Sequence, residues 1–250
     1  MTTSDLQGTT ALVTGASRGF GRGIAVALHG AGAHVVAVAR SAEQLDQLRS
    51  ELGGSLTAVA ADAADPVVAG TLLERYRPET LVLNAGAAPL MRPIQHQTWE
   101  TFSRNWEVDT KQAFHWIREA LLAPLAPHSS VIAMSSGAAI AGSPLSGGYA
   151  GAKATIRFLT AYAADESERA GLGIRFVSVL PRLTPATELG AAAVAAYARR
   201  EGVAPDDYAG RIGPGLGPDE VGKHIAGLAS STDHHPGAYL LTPDGLKEIS

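Results

Sequence analysis

The sequence predicts an α/β protein built on a doubly wound parallel sheet of about seven strands, in a single domain over 1–250. Three observations carry this. Seven short apolar runs alternate with longer helical patterns along the chain. The runs are continuously apolar rather than alternating, as expected of strands covered on both faces. The 250 residues, 46% of them hydrophobic, suit one large core better than two.

Strands are expected at 10–15 (TALVTG), 34–39 (HVVAVA), 55–61 (SLTAVAA), 80–86 (TLVLNAG), 130–136 (SVIAMSS), 174–180 (IRFVSVL) and 238–242 (AYLLT). Helices are expected near 20–31, 42–52, 67–76, 98–122, 149–170, 187–200 and 218–230. Right-handed crossovers through those helices make the strands parallel. The Ala-rich stretch 191–198 is helix-forming rather than low in complexity. Gly and Pro cluster at 181–190 and 213–218. They bracket an insert, about 183–215, that reads as a mobile lid.

Composition narrows the function. The formal net charge is −4 and the basic residues are scattered, so a nucleic-acid surface is not expected. There is no cysteine, which excludes disulfides, thiolate catalysis and Cys-ligated metal. The eight histidines lack metal-site spacing, and His234-His235 beside Pro236 reads as a solvated loop, so no metal is expected. The start, MTTSDLQGTT, lacks the basic and apolar regions of a signal peptide, and IAVALHGAGAHVVAVA (24–39) is too broken to span a bilayer. A cytoplasmic protein without a membrane partner is the expectation.

Two stretches carry chemistry. Thr14-Gly-Ala-Ser-Arg-Gly-Phe-Gly21 leaves the first strand and opens a helix, with Gly15, Gly19 and Gly21 in the pattern G-x-x-x-G-x-G. Glycine there lets backbone approach a pyrophosphate, and the helix N-terminus offers N–H donors. A Gly-rich packing turn would look the same, and no G-K-[ST] follows to make a P-loop. The second stretch is SGGYAGAK (146–153), whose Tyr149 and Lys153 share one helix face. Many surface helices carry such a pair by chance.

Together, TGASRGFG (14–21), Asn84-Ala-Gly86, Ser136 and Tyr149-x-x-x-Lys153 resemble the short-chain dehydrogenase/reductase family, in the family's order and across essentially the whole chain. The resemblance implies a Rossmann-type sheet, a nicotinamide cofactor and carbonyl/alcohol interconversion. It makes Tyr149 the proton donor, a weak acid as a free phenol with pKa about 10, aided by the Lys153 ammonium. Lys153 would also hold the nicotinamide ribose. Ser136 would hydrogen-bond the substrate oxygen, with Ser135 structural on the opposite sheet face.

By the same resemblance the cofactor residues are Gly15, Ser17, Arg18, Gly19, Phe20, Gly21, Arg40, Asp62, Ala63, Asn84, Ala85, Gly86, Tyr149, Lys153, Pro181 and Thr184. Asp62 would contact adenine. A carboxylate at the end of the second strand would bind a ribose 2′-hydroxyl, but Ala39 stands there, followed by Arg40. With Arg18 it suits a 2′-phosphate, so NADP(H) is expected.

The chain departs from the family's pattern in three places. Leu83 replaces the first of two usual asparagines. Asp109, in WEVDTKQAF (106–114), stands where the family has an asparagine that holds a relay water to the lysine, and is retained as a catalytic candidate. Asn105 is four residues out of register for that part. Arg182 follows Pro181 where Gly is usual, and either reaches substrate or cofactor or points to solvent.

Met91, Gly137, Leu145, Leu183, Leu189 and Tyr197 are the expected substrate walls. They are mostly apolar and suit a medium-sized hydrophobic ketone. Ser143 and Ser146 read as loop residues near it. Long helices at 98–122 and 149–170 suggest a homodimer or homotetramer, as is common in the family. The alternatives are a non-catalytic NADP(H)-sensing regulator, which Asp109 favours, and another reaction on this fold such as imine reduction or epimerisation.

Overall fold

The computed structural model describes residues 6–231 and 236–249; the His234-His235 pair lies outside the described residues. Along the chain run β1 (Thr10–Thr14), α1 (Gly19–Gly30), β2 (His34–Ala39), α2 (Ala42–Leu52), β3 (Leu56–Ala60), α3 (Pro66–Tyr76) and β4 (Thr80–Leu83). Next come α4 (Trp99–Asn105), a π-helical turn (Trp106–Thr110), α5 (Lys111–Leu122), β5 (Ser130–Met134), α6 (Ala138–Ala141), α7 (Gly147–Arg169) and β6 (Arg175–Pro181). The chain continues through α8 (Glu188–Glu201), α9 (Pro205–Ile212), α10 (Pro218–Ser230), β7 (Gly237–Thr242) and β8 (Gly245–Ile249).

One sheet has the order β3-β2-β1-β4-β5-β6-β7-β8. β1 to β7 are parallel and β8 pairs antiparallel with β7. All seven predicted strands are present. Alternate residues of each strand feed opposite faces: Ala11, Val13, Val35 and Ala37 pack with α1, α2 and α10, whereas Leu12, Val36 and Val38 pack with α3, α5 and α7. Continuous apolar runs are what such two-sided burial requires. Helices α1 and α10 cross at glycines: a Cβ on Gly23 would lie 2.1 Å from the Pro218 carbonyl oxygen, and one on Gly222 would lie 2.3 Å from that of Gly23.

Two departures from the sequence reading matter for the site. The helix expected over 98–122 is broken by the π-helical turn, a widening often found at functional sites. It turns Asp109 inward, where the residue is 1% exposed. In addition, α9 and β8 were not anticipated. Pro205 at the first position of α9, followed by Asp206 and Asp207, is an ordinary start signal. Thr242-Pro-Asp-Gly245 is an ordinary turn signal before β8. Among the described residues no helix is long and apolar enough to cross a membrane, and no group of three metal-binding side chains forms.

Candidate active site

The loops leaving the carboxyl ends of β1 to β6 open on one cleft of about 1100 Å³. It includes the carboxyl ends of β1 and β4, between which the strand order reverses, the place where α/β sheets bind ligands. Gly15, Ser17, Arg18, Gly19 and Phe20 line it beside Asn84, Ala85 and Gly86. Gly15 has φ +67°, and a Cβ there would sit 2.8 Å from the Ala85 Cα. The Arg18 side chain makes no capping bond at the start of α1, and the first N–H groups of a helix have no intrahelical partner. Asn84 braces the loop, its Nδ2 donating to the Thr14 and Gly15 carbonyls at 3.2 and 3.3 Å. Thr14 Oγ1 accepts from the Asn84 and Ala85 N–H groups at 2.9 and 3.1 Å.

Gly21, expected to touch the cofactor, is buried and does not line the cleft. A Cβ there would lie 2.1 Å from the Gly15 carbonyl oxygen. Its smallness lets α1 begin against the loop, a packing role. Leu83, in the usual asparagine's place, is part of the core.

Beyond β2 and β3 the lining continues with Ala39, Arg40, Asp62 and Ala63. Asp62 Oδ1 accepts from the Ala64 N–H at 3.0 Å, and the Ala63 carbonyl accepts from buried Trp116 Nε1 at 2.8 Å. The two arginines expected at a phosphate differ. Arg40 is exposed and has no hydrogen-bond or ion-pair partner among the described residues. Arg18 pairs with Glu188 at the start of α8 at 2.5 Å.

Three of the four candidate catalytic side chains meet at the next part of the cleft. Ser136 follows β5, its Oγ accepting from the Ala138 N–H at 3.2 Å. Ser135 donates to the Lys153 carbonyl at 2.7 Å and fixes α7 to the sheet, as its expected structural role requires. Tyr149 stands in the first turn of α7, and Lys153 Nζ lies 5.6 Å from its ring centre. Lys153 is buried and donates to the Met134 carbonyl at 3.0 Å.

Asp109 completes this group. Its Oδ2 lies 3.3 Å from Lys153 Nζ, and Oδ1 accepts from the Ala87 N–H at 2.8 Å. Burial alone would depress the lysine's pKa, but Asp109, and then Tyr149, outweigh it and hold Lys153 above the usual lysine range. Asn105, discounted from its register, is a member of the network. It is buried, and its Nδ2 donates to the Ala87 carbonyl at 2.7 Å and to Asp109 Oδ1 at 3.4 Å. Its spacing of four from Asp109 was the available signal.

Met91, Gly137, Leu183, Leu189 and Tyr197 also line the cleft, as do Pro181 and Thr184. Leu145 does not: its side chain is buried, and its carbonyl accepts from the Arg92 N–H at 2.8 Å. Arg182 runs along the cleft, and its guanidinium donates to the Ile212 carbonyl at the end of α9 at 3.2 Å. Ile140 of α6 and Tyr208 of α9 also line the cleft; both fall in the segments expected to wall it, 137–145 and 183–212, but were not singled out because neither helix was foreseen.

The short chain dehydrogenase family pattern matches residues 9–198. The chain is 42% identical over 106 residues to L-xylulose reductase of Mesocricetus auratus, covering 42% of this chain and 43% of that protein. It is 37% identical over 110 residues to carbonyl reductase [NADPH] 2 of Sus scrofa, covering 44% and 45%. The chain thus spans about half the length of the curated relatives it matches. A dehydrogenase/reductase from Sinorhizobium meliloti 1021 has a similar structure, with a TM-score of 0.79, 26% identity and 95% of each chain covered. With the strand order, the glycine loop and the Ser136, Tyr149 and Lys153 group on one cleft, the pattern match shows that this chain belongs to the short-chain dehydrogenase/reductase family.

Proposed function

We propose that the protein is an NADP(H)-dependent oxidoreductase that interconverts a hydrophobic ketone and its secondary alcohol. The observation that carries this is one continuous cleft with a helix start whose Arg18 side chain does not cap it and exposed Arg40 at one end, and Ser136, Tyr149 and Lys153 beside apolar walls at the other. The cleft's volume exceeds the ~300–1,000 Å³ of a single drug-sized ligand, leaving room for a dinucleotide and a substrate. Arg40 beside Ala39 suits a 2′-phosphate, and one relative's name includes NADPH. NADPH, when bound, supplies the hydride.

The chain's own residues supply the rest. Ser136 holds the carbonyl oxygen by its hydroxyl hydrogen. Tyr149 gives that oxygen its proton, and in the reverse direction takes it back. Lys153 keeps a positive charge beside the phenol, and Asp109 keeps the lysine in place and charged. Met91, Leu183 and Leu189 offer apolar surface to the substrate's substituents. Residues 183–215, which contain α8 and α9, serve as the lid of a single domain. Phe114, Phe158, Tyr162 and Leu122 are exposed on α5 and α7, and suit pairing with a second copy of the chain.

A second reading has one observation in its favour: Asp109 already neutralises Lys153, as a cofactor sensor without turnover would tolerate. One experiment separates the two. NADPH binding is titrated by fluorescence, and NADPH absorbance is followed with a panel of aliphatic and aryl ketones and with ketoses. Consumption with the apolar ketones supports the enzyme reading. Binding without consumption across the panel supports the sensor. Preference for ketoses would overturn the hydrophobic substrate class.

A further inference from the structure

Tyr197 was expected to be a wall of the substrate site, yet its polar atom is directed at the protein. Along α8, Leu189, Ala193 and Tyr197 recur every four residues and face the cleft. The Tyr197 ring stacks on Tyr208 of α9 with centroids 5.8 Å apart and planes at 14°. Its hydroxyl makes a short hydrogen bond with Ser143 Oγ. Ser143 Oγ lies 2.6 Å from Ser146 Oγ and also accepts from the Ser146 N–H at 2.9 Å. Ser146 is buried and immediately precedes α7, the helix that carries Tyr149.

The beginning of α7 needs such support. Gly147 and Gly148 open the helix, and each is poorer there than alanine by about 1 kcal/mol. Ser146 makes no side-chain capping bond to the first turn. Its carbonyl does accept the Ala150 N–H at 3.0 Å, so the position of Ser146 is passed directly to the turn that holds Tyr149. A hydroxyl chain, Tyr197–Ser143–Ser146, therefore runs from the roof of the cleft to the base of the candidate proton donor.

We propose that Tyr197 is a positioning residue: when α8 and α9 cover the cleft, its hydroxyl seats on Ser143 and thereby fixes Ser146 and the first turn of α7 that aims Tyr149. The inference rests on the reading of Tyr149 as proton donor. It predicts that turnover is sensitive to one hydroxyl that touches neither the carbonyl nor the nicotinamide.

The test uses the full chain with saturating NADPH and the variants Tyr197→Phe, Ser143→Ala and both together. Phenylalanine keeps the stack on Tyr208 and removes only the hydroxyl. Amide exchange should quicken by about five- to tenfold, one hydrogen bond's worth, both in 188–212 and at Ser146 and Ala150. The kcat for ketone reduction should fall by a similar factor, with the NADPH Kd within twofold. The double variant should be no worse than either single one, because both break the same chain. Faster exchange in 188–212 alone, with kcat unchanged, would reduce Tyr197 to a packing residue and overturn the proposal. Multiplied effects in the double variant would overturn it too. If the wild-type protein turns over no ketone, the enzyme reading fails, and the exchange at Ser146 and Ala150 still decides whether roof and helix are coupled.

Discussion

Replacing Asp109 by asparagine tests the least family-like feature of the site. Oδ1 of the carboxylate accepts from the Ala87 N–H and the Asn105 amide, and Oδ2 forms an ion pair with the Lys153 ammonium. An amide of the same shape has one accepting atom and one donating atom. In either orientation its NH2 group confronts either Lys153 or the Ala87 N–H. At 3.3 Å and an effective dielectric of about 20 the ion pair is worth roughly 5 kcal/mol of attraction, against which both groups lose hydration. Removing one partner of a buried pair costs about 3–5 kcal/mol, because the other charge stays buried. At about 2–4 °C per kcal/mol for a chain this size, Asp109→Asn should lower the melting temperature near neutral pH by roughly 6–20 °C.

The pH dependence fixes the sign. Lys153 in the wild type lies above the usual lysine range, so its contribution is complete below the unfolded value of about 10.4 and is lost as pH rises through the folded one. In the variant, burial is left without its counter-charge and pulls the lysine below the unfolded value. Charged Lys153 then destabilises, and raising the pH relieves it. The melting temperatures of the two proteins should therefore converge in alkaline buffer. Ser136 and Tyr149 are left untouched, so kcat for ketone reduction should stay within about tenfold. Calorimetry across pH checks the first part and steady-state kinetics the second. Equal melting temperatures at neutral pH would refute the ion-pair reasoning.

Three further outcomes are expected. Tyr149→Phe should reduce ketone turnover by at least ~10²-fold while NADPH affinity stays within a few-fold, since the packing is kept and the proton removed; near-normal kcat would move the proton donor elsewhere. Arg40→Ala should cut the NADPH-over-NADH preference in kcat/KM by about 10- to 100-fold, and Arg18→Ala by less, because Arg18 is already engaged by Glu188. An unchanged preference in Arg40→Ala would remove the phosphate from this place. Phe158→Asp, which breaks an exposed stack with Tyr162 on α7, should lower the particle mass measured by light scattering. An unaltered mass would leave that face outside any interface.

The glycine-loop end of the cleft was legible in the sequence because backbone requirements define it. Glycines at 15 and 19 announce a tight loop, the apolar runs place it after a strand, and Ala39 followed by Arg40 marks the strand's end. The end of the cleft under α8 and α9 was legible only in part. Its walls come from an insert whose geometry depends on contacts distant in sequence, such as Arg182 with Ile212 and Tyr197 with Ser143. Residue type alone suggested that Leu145 would face the cleft, yet a preceding loop turned it into the protein.

Asp109 and Asn105 show a different limit. A helix of regular pitch would present both on one face, but it gives no reason for either to be buried. The π-helical turn supplies that reason by rotating Asp109 toward Lys153 and Ala87. Read as a single substitution, the aspartate looks like damage to a relay. Read with its partners, it is the counter-charge that lets a lysine remain protonated while buried, and Asn105 adds a hydrogen bond to its Oδ1. In this chain either neutral replacement leaves the buried ammonium without its counter-charge: an amide at 109 turns a donor toward Lys153 or the Ala87 N–H, and an alanine opposes the ammonium with nothing. A neutral side chain at this place therefore suits a lysine whose charge is balanced by other groups.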